Sequence, residues 1–180
     1  MLQERVAVRY TRALYAYAKT KGTLEAVMTD QKDMLTLLDQ SRELELFLAS
    51  PILSDATKRG IVKKLFDGRV HPDTEQFYEY LTERGREEMI PYIAREFVHQ
   101  YNHEHNIRVA RVLSATPLTD AQRTSLKTKL ERQTGATIEL QATVDPKLIG
   151  GVVVQVEDLR IDQSVAGALA RARQQLAQTL

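Results

Sequence analysis

Residues 137–144, TIELQATV, place Ile138, Leu140, Ala142 and Val144 on one side of an extended chain and Thr137, Glu139, Gln141 and Thr143 on the other. Alternation with period two is the pattern of a strand with one dry and one wet face. IRVARVLSA (107–115) before it and GGVVVQVEDLRI (150–161) after it also read as strands, the second folding into a hairpin at Glu157 and Asp158. Between the first two, Thr119 and Gln122 have the spacing of a capping box, which opens a helix running through Leu126 and Leu130 to Gly135. Asp162 or Ser164 starts a last helix, with Val165, Leu169 and Leu176 expected to face inward. Residues 106–180 therefore read as a small α+β domain.

Upstream of this, residues 1–105 keep a period of 3.6 and read as an α-helical six-helix bundle. VAVRYTRALYAYAKTKG (6–22) sets Val6, Tyr10, Ala13, Leu14 and Tyr17 at helical spacing and stops at Gly22. Thr23 is expected to cap a second helix with an inward stripe of Leu24, Val27, Met28, Leu35 and Leu38. A short third helix carries Leu44, Phe47 and Leu48 and ends before Pro51. Ser54 is expected to cap a fourth, with Ile61, Val62, Leu65 and Phe66 inward. A fifth follows Pro72 and carries Phe77, Tyr80 and Leu81, ending near Gly85. The sixth runs from about Glu87 through Ile90, Ile93, Phe97 and Tyr101, with Pro91 tolerated near its start.

The chain has 180 residues, 43% of them hydrophobic and 27% charged, which is enough for a real core and one or two domains. It contains no cysteine, so disulfides, thiolate metal sites and cysteine nucleophiles are excluded. Up to residue 105 there are 15 Lys+Arg against 17 Asp+Glu, and beyond it 10 against 7. Imbalances this small do not suggest a nucleic-acid partner. No apolar run approaches the roughly 20 residues that span a bilayer, and no signal-peptide pattern opens the chain, so it is expected to be soluble or membrane-attached only through partners.

Chemical motifs are sparse. Gly150 and Gly151 precede a strand, whereas phosphate loops follow one and open a helix, so a bulge or tight strand entry is the better reading. His99 and His103 are four apart on a helix and could share a metal with a carboxylate such as Glu104, the basis of a metal-dependent hydrolase reading; H-E-x-x-H is absent, and a chance cluster at a solvated helix end competes with it. His71 beside Pro72 reads as a turn residue. No G-x-S-x-G occurs. Lys58, Arg59, Lys63 and Lys64 read as a wet helix face. The first helix, by contrast, is apolar on more than one side, with Ala7, Val8, Tyr15, Ala16 and Ala18 besides the main stripe. Such a helix is either central in its bundle or shared with a partner.

RYTRALYAYA (9–18), LTERGREEMIPYIAREF (81–97), VLSATPLTDAQRTSLKTKLERQTG (112–135) and VDPKLIGGVVVQVEDLRIDQSVAGAL (144–169) resemble, in order and over essentially the whole chain, the delta subunit of bacterial F-type ATP synthases. That family is the counterpart of the mitochondrial oligomycin-sensitivity-conferring protein. The resemblance implies a non-catalytic stator subunit, without cofactor, that resists rotor torque during proton-driven ATP synthesis. It implies that residues 1–105 receive the N-terminal helices of alpha subunits and residues 106–180 the C-terminal region of b subunits, at the cytoplasmic face of the bacterial plasma membrane. By the same analogy the alpha groove lies on the first and fifth helices, at Tyr10, Leu14, Tyr17, Phe77 and Leu81. Gly150, Gly151, Asp162 and Ser164 match the family's C-terminal motif. At the hairpin the family often has glycine where this chain has Glu157 and Asp158, which requires a non-glycine residue at positive φ. A free-standing helical adaptor for some other partner is the competing reading.

Overall fold

The computed structural model describes residues 2–50 and 55–178. The chain divides into two compact units, residues 1–101 and 102–180.

The first unit is α-helical. Its helices are α1 (Leu2–Lys21), α2 (Leu24–Gln40), α3 (Arg42–Ala49), α4 (Asp55–Phe66), α5 (Pro72–Glu83) and α6 (Ile90–Glu104), with a 3-10 turn over Glu87–Met89 before α6. Their buried stripes meet in one core containing Ala7, Met34, Leu38, Leu48, Val62, Phe66, Tyr78, Leu81, Met89, Ile90, Ile93 and Ala94. Three helix starts differ from the sequence reading. Thr23 donates its hydroxyl to Asp73 at 2.6 Å instead of capping α2. Ser41, unmarked by the sequence pattern, caps α3 by accepting from the Leu44 N–H at 3.3 Å. His71 is not a bare turn residue: its Nδ1 accepts from the Asp73 N–H and caps α5, ahead of Pro72 in the first helical position. Pro51 and Ser54 lie outside the described residues. Ile61, expected inward, is 41% exposed, as is Tyr80 of the fifth helix.

Polar ties cross this core. Lys58 and Glu87 form a buried ion pair between α4 and the 3-10 turn, so the expected wet face of α4 does not include Lys58. Breaking one side of such a pair strands a charge away from water. Asp30 accepts from the His71 N–H at 2.9 Å and from the Thr74 hydroxyl, joining α2 to the start of α5. Fully buried Gln31 accepts from the Tyr78 hydroxyl at 2.9 Å, and burial pushes that hydroxyl well above its ordinary pKa.

In the second unit, β1 (Ile107–Ser114), α7 (Asp120–Thr134) and β2 (Thr137–Val144) form a β-α-β element with the strands parallel. Parallel neighbours require a crossover, which α7 supplies. β3 (Val152–Val156) pairs antiparallel to β1, and β4 (Leu159–Asp162) pairs antiparallel to β3. Among the described residues these strands make one mixed sheet in the order β2-β1-β3-β4, followed by α8 (Val165–Gln178). Ala110, Val112, Leu130, Ile138, Val154 and Val156 form its core. The capping box at Thr119 and Gln122 is complete in both directions, and Gly135 ends α7 in the left-handed region. The alternation in β2 loses its dry side towards the end, where Val144 is 45% exposed. Val156 faces Leu159 across a two-residue turn, and Glu157 takes the positive φ, 50°, that the sequence pattern requires.

Tyr78→Phe should destabilise the chain by about 1–3 kcal/mol, because Gln31 is left buried without its partner. Adding Gln31→Met should recover most of that loss, read as urea-denaturation midpoints.

Candidate functional site

α1 presents two faces. Ala7, Thr11, Leu14, Tyr15 and Ala18 are buried. Tyr15 stacks on Phe97 with centroids 5.3 Å apart, and the Thr11 hydroxyl donates to the Ile93 carbonyl. The other face follows the spacing Val6, Tyr10, Ala13, Tyr17, and it borders the stripe Asp73, Gln76, Phe77, Tyr80 of α5. Together they line an open groove, with Leu14 at its floor. Tyr10 meets Phe77 edge to face at 6.4 Å. At one end the Tyr17 hydroxyl donates to Asp73 at 3.4 Å; at the other, Arg86 donates to the Tyr10 hydroxyl at 2.6 Å. These cross-helix bonds hold the tyrosine rings as walls instead of letting them fold into the gap.

Of the residues the resemblance singled out, Tyr10, Tyr17 and Phe77 line the groove and Leu14 supports it from below. Leu81 does not line it: at 0% exposure it is a core residue behind the wall. At about 100° per residue Leu81 falls about 40° to one side of Phe77, towards the core, and Tyr80 about 60° to the other, towards the groove. Ala13, Gln76, Tyr80, Asp73, Arg9 and Arg86 were not singled out. Tyr80 carried a signal in its three-residue spacing from Phe77. Arg86 lies beyond the end of α5, and no period could have placed it.

The C-terminal motif residues work as a local joint. Gly151 has φ 76°, and a Cβ there would meet the Gln163 carbonyl oxygen at 2.2 Å. A Cβ on Gly150 would lie 3.0 Å from Val165, whose N–H donates to the Gly150 carbonyl. The pair therefore lets the chain entering β3 run against the start of α8. Asp162 accepts from both the N–H (2.9 Å) and the hydroxyl (2.6 Å) of Ser164, and the Ser164 Oγ accepts from the Gly167 N–H at 3.0 Å. The hydroxyl bond first, then the backbone bond, hold the Asp162 carboxyl below its ordinary pKa of 3.8. Gly167 is required too, since its Cβ would meet the Asp162 oxygens at 2.7 Å.

Beside this joint Ile149 sits in a γ-turn, φ 65° and ψ −42°, closed by a 2.7 Å bond from the Gly150 N–H to the Leu148 carbonyl. Positive φ is unusual for a β-branched residue, and here the side chain is 68% exposed. Val165 and Leu169, expected inward, are 44% and 48% exposed and extend an apolar strip along α8. The side chain of Leu176 lies outside the described residues. His99, His103 and Glu104 are exposed on α6. Among the described residues no group of three or more His, Asp or Glu stands in a metal-binding arrangement.

The fold thus defines a two-unit class, a helical unit followed by a mixed α/β unit, each leaving an apolar surface uncovered among its described residues. Residues 6–176 match the family model described as ATP synthase delta (OSCP) subunit. ATP synthase subunit delta of Synechococcus sp. (strain JA-2-3B'a(2-13)) is 34% identical over 98% of this chain and 97% of its own. That of Desulfitobacterium hafniense (strain Y51) is 33% identical over 98% of each. A chain in the cryo-EM structure of the Toxoplasma gondii mitochondrial ATP synthase hexamer aligns with TM-score 0.70 and 26% identity, covering 95% of this chain and 97% of that one. The chain belongs to the ATP synthase delta (OSCP) subunit family, and it is a stator component of the peripheral stalk of an F-type ATP synthase.

A carboxylate with a depressed native pKa stabilises the fold above its unfolded pKa and loses that contribution as pH falls through the native value. Protection of the Ser164 and Gly167 amides from hydrogen exchange should therefore fall with acid below the ordinary aspartate range. In Asp162→Asn that acid dependence should be absent.

Proposed function

We propose that this chain ties the catalytic head of the synthase to its stationary stalk through two separate surfaces. Residues 1–105, read as a six-helix bundle, receive an amphipathic N-terminal helix of an alpha subunit in the groove between α1 and α5. Residues 106–180 receive the C-terminal region of the b subunits at Ile149, Val165 and Leu169. The observation that carries the reading is the second apolar face of α1, which with α5 forms an open groove lined by Tyr10, Tyr17, Phe77 and Tyr80. A helix laid in such a groove docks through residues at i, i+3, i+4 and i+7.

The role is mechanical and asks no catalytic residue of this chain. A rotor turning within the head drags the head with it unless a stationary part holds it. Engaging head and stalk at once makes the second contact intramolecular, so the attachment exceeds either contact alone. No helix among the described residues is long and apolar enough to cross a membrane. The proposed location, at the cytoplasmic face of the bacterial plasma membrane, is reached through the complex.

Calorimetric titration of the full chain with a synthetic peptide of the alpha subunit's N-terminus tests the first contact. Tyr10→Ala and Phe77→Ala should each weaken binding by about 1–3 kcal/mol with the fold intact. Leu81→Ala should instead destabilise the fold by about 2–5 kcal/mol. A folded chain that does not bind the peptide defeats the reading.

The stalk contact has its own outcome. Leu169→Asp should abolish capture of a fragment spanning the C-terminal region of the b protein while leaving affinity for the alpha peptide unchanged, both measured by titration.

A further inference from the structure

The groove is not electrically uniform. Arg9 and Arg86 line one end, where Tyr80 is also a wall, and Arg84 stands over that Tyr80 ring with its guanidinium 4.4 Å from the ring centre. Arg86 is held by its bond to the Tyr10 hydroxyl and lies 5.6 Å over that ring. Two of the aromatic walls thus serve as platforms for arginines, which fixes the guanidinium planes without using most of their N–H donors. Among the described residues none of the three makes an ion pair with a carboxylate. Of the acids nearby in sequence, Glu87 pairs with Lys58 and Glu79 with Lys63, while Glu83 and Glu88 are exposed. At the other end Asp73 is engaged by the Tyr17 and Thr23 hydroxyls, and Lys21 lies 5.6 Å over the Tyr17 ring. From Val6 to Tyr17 the α1 side spans about 16 Å, room for about three helical turns.

We propose that Arg9, Arg84 and Arg86 form a carboxylate clamp at one end of the groove, so that the helix docked there is amphipathic, with Asp or Glu flanking its apolar stripe at that end. This rests on the groove being the alpha-subunit site. Apolar contacts along Tyr10, Leu14 and Phe77 hold the helix but do not fix its position, because a hydrophobic stripe can slide by a turn at little cost. A planar guanidinium pairing two N–H groups with a carboxylate tolerates no such shift. The clamp therefore sets register, and its exposed charge speeds encounter.

The test is a double-mutant cycle on the full chain with the alpha N-terminal peptide. Glutamines replace Arg9, Arg84 and Arg86 in the chain, and asparagine or glutamine replaces the acids flanking the peptide's apolar stripe. Each change alone should weaken binding about tenfold at low salt, and the two together no more than either, with the salt dependence of affinity lost. Near-native circular dichroism and thermal midpoint of the arginine variant separate lost recognition from lost fold. Additive effects, an unchanged salt slope, or a peptide without flanking acids would overturn the clamp. If Phe77→Ala still weakens the peptide in that case, the groove reading survives without it. If the unmodified chain does not bind the peptide at all, both fall.

Discussion

The two faces of α1 meet at Leu14, which lies at the floor of the groove and is only 2% exposed. Its neighbours Ala7, Thr11, Tyr15 and Ala18 fasten the helix to the interior, and the small alanines let α1 approach closely while Tyr15 packs on Phe97. Only because this inner face is anchored can the outer face remain apolar and uncovered without the helix rolling to bury it. The Asp73–Tyr17 and Arg86–Tyr10 bonds complete the constraint from α5 and the turn beyond it. The groove is thus a by-product of how firmly α1 is held.

The second unit solves a comparable problem with backbone instead of side chains. Gly150, Gly151 and Gly167 bring the strand entry and the first turn of α8 within distances that a Cβ would forbid. Asp162 and Ser164 then satisfy the helix-start N–H groups in that narrow space. Because the joint supplies the attachment, the first two turns of α8 do not need to bury Val165 and Leu169. Those residues stay on the surface beside Ile149, whose strained turn holds a large apolar side chain in water. Contiguous exposed apolar side chains on rigid backbone are the usual mark of a binding surface. Two surfaces of this kind, one on each unit, suit a part whose task is to transmit force without moving.

The amino-acid order by itself determined the change of period near residue 105, the helix pattern before it, the strands after it, the Thr119–Gln122 box and the two-residue turn at Glu157. All of these follow from local spacing and from backbone groups that must be satisfied within a few residues. The family was legible in the same way, because its segments recur in order along the chain. The roles of Asp162 and Ser164 at the start of α8 were equally visible, since a cap is a local event.

Only the tertiary structure decided which apolar residues are core and which are surface. Leu14, Tyr17, Phe77 and Leu81 all sit at helical spacing, yet Leu81 is sealed and Tyr17 is open, and no periodicity distinguishes a stripe covered by this chain from one left for another. Tertiary packing also redirected Thr23 from a cap to Asp73, some 50 positions away in sequence, and paired Lys58 with Glu87 inside the helical unit. It placed Arg86, beyond the end of α5, against Tyr10. Such pairings depend on how helices dock, which is set by the sum of all their contacts, whereas spacing along the chain records only what each helix could bury.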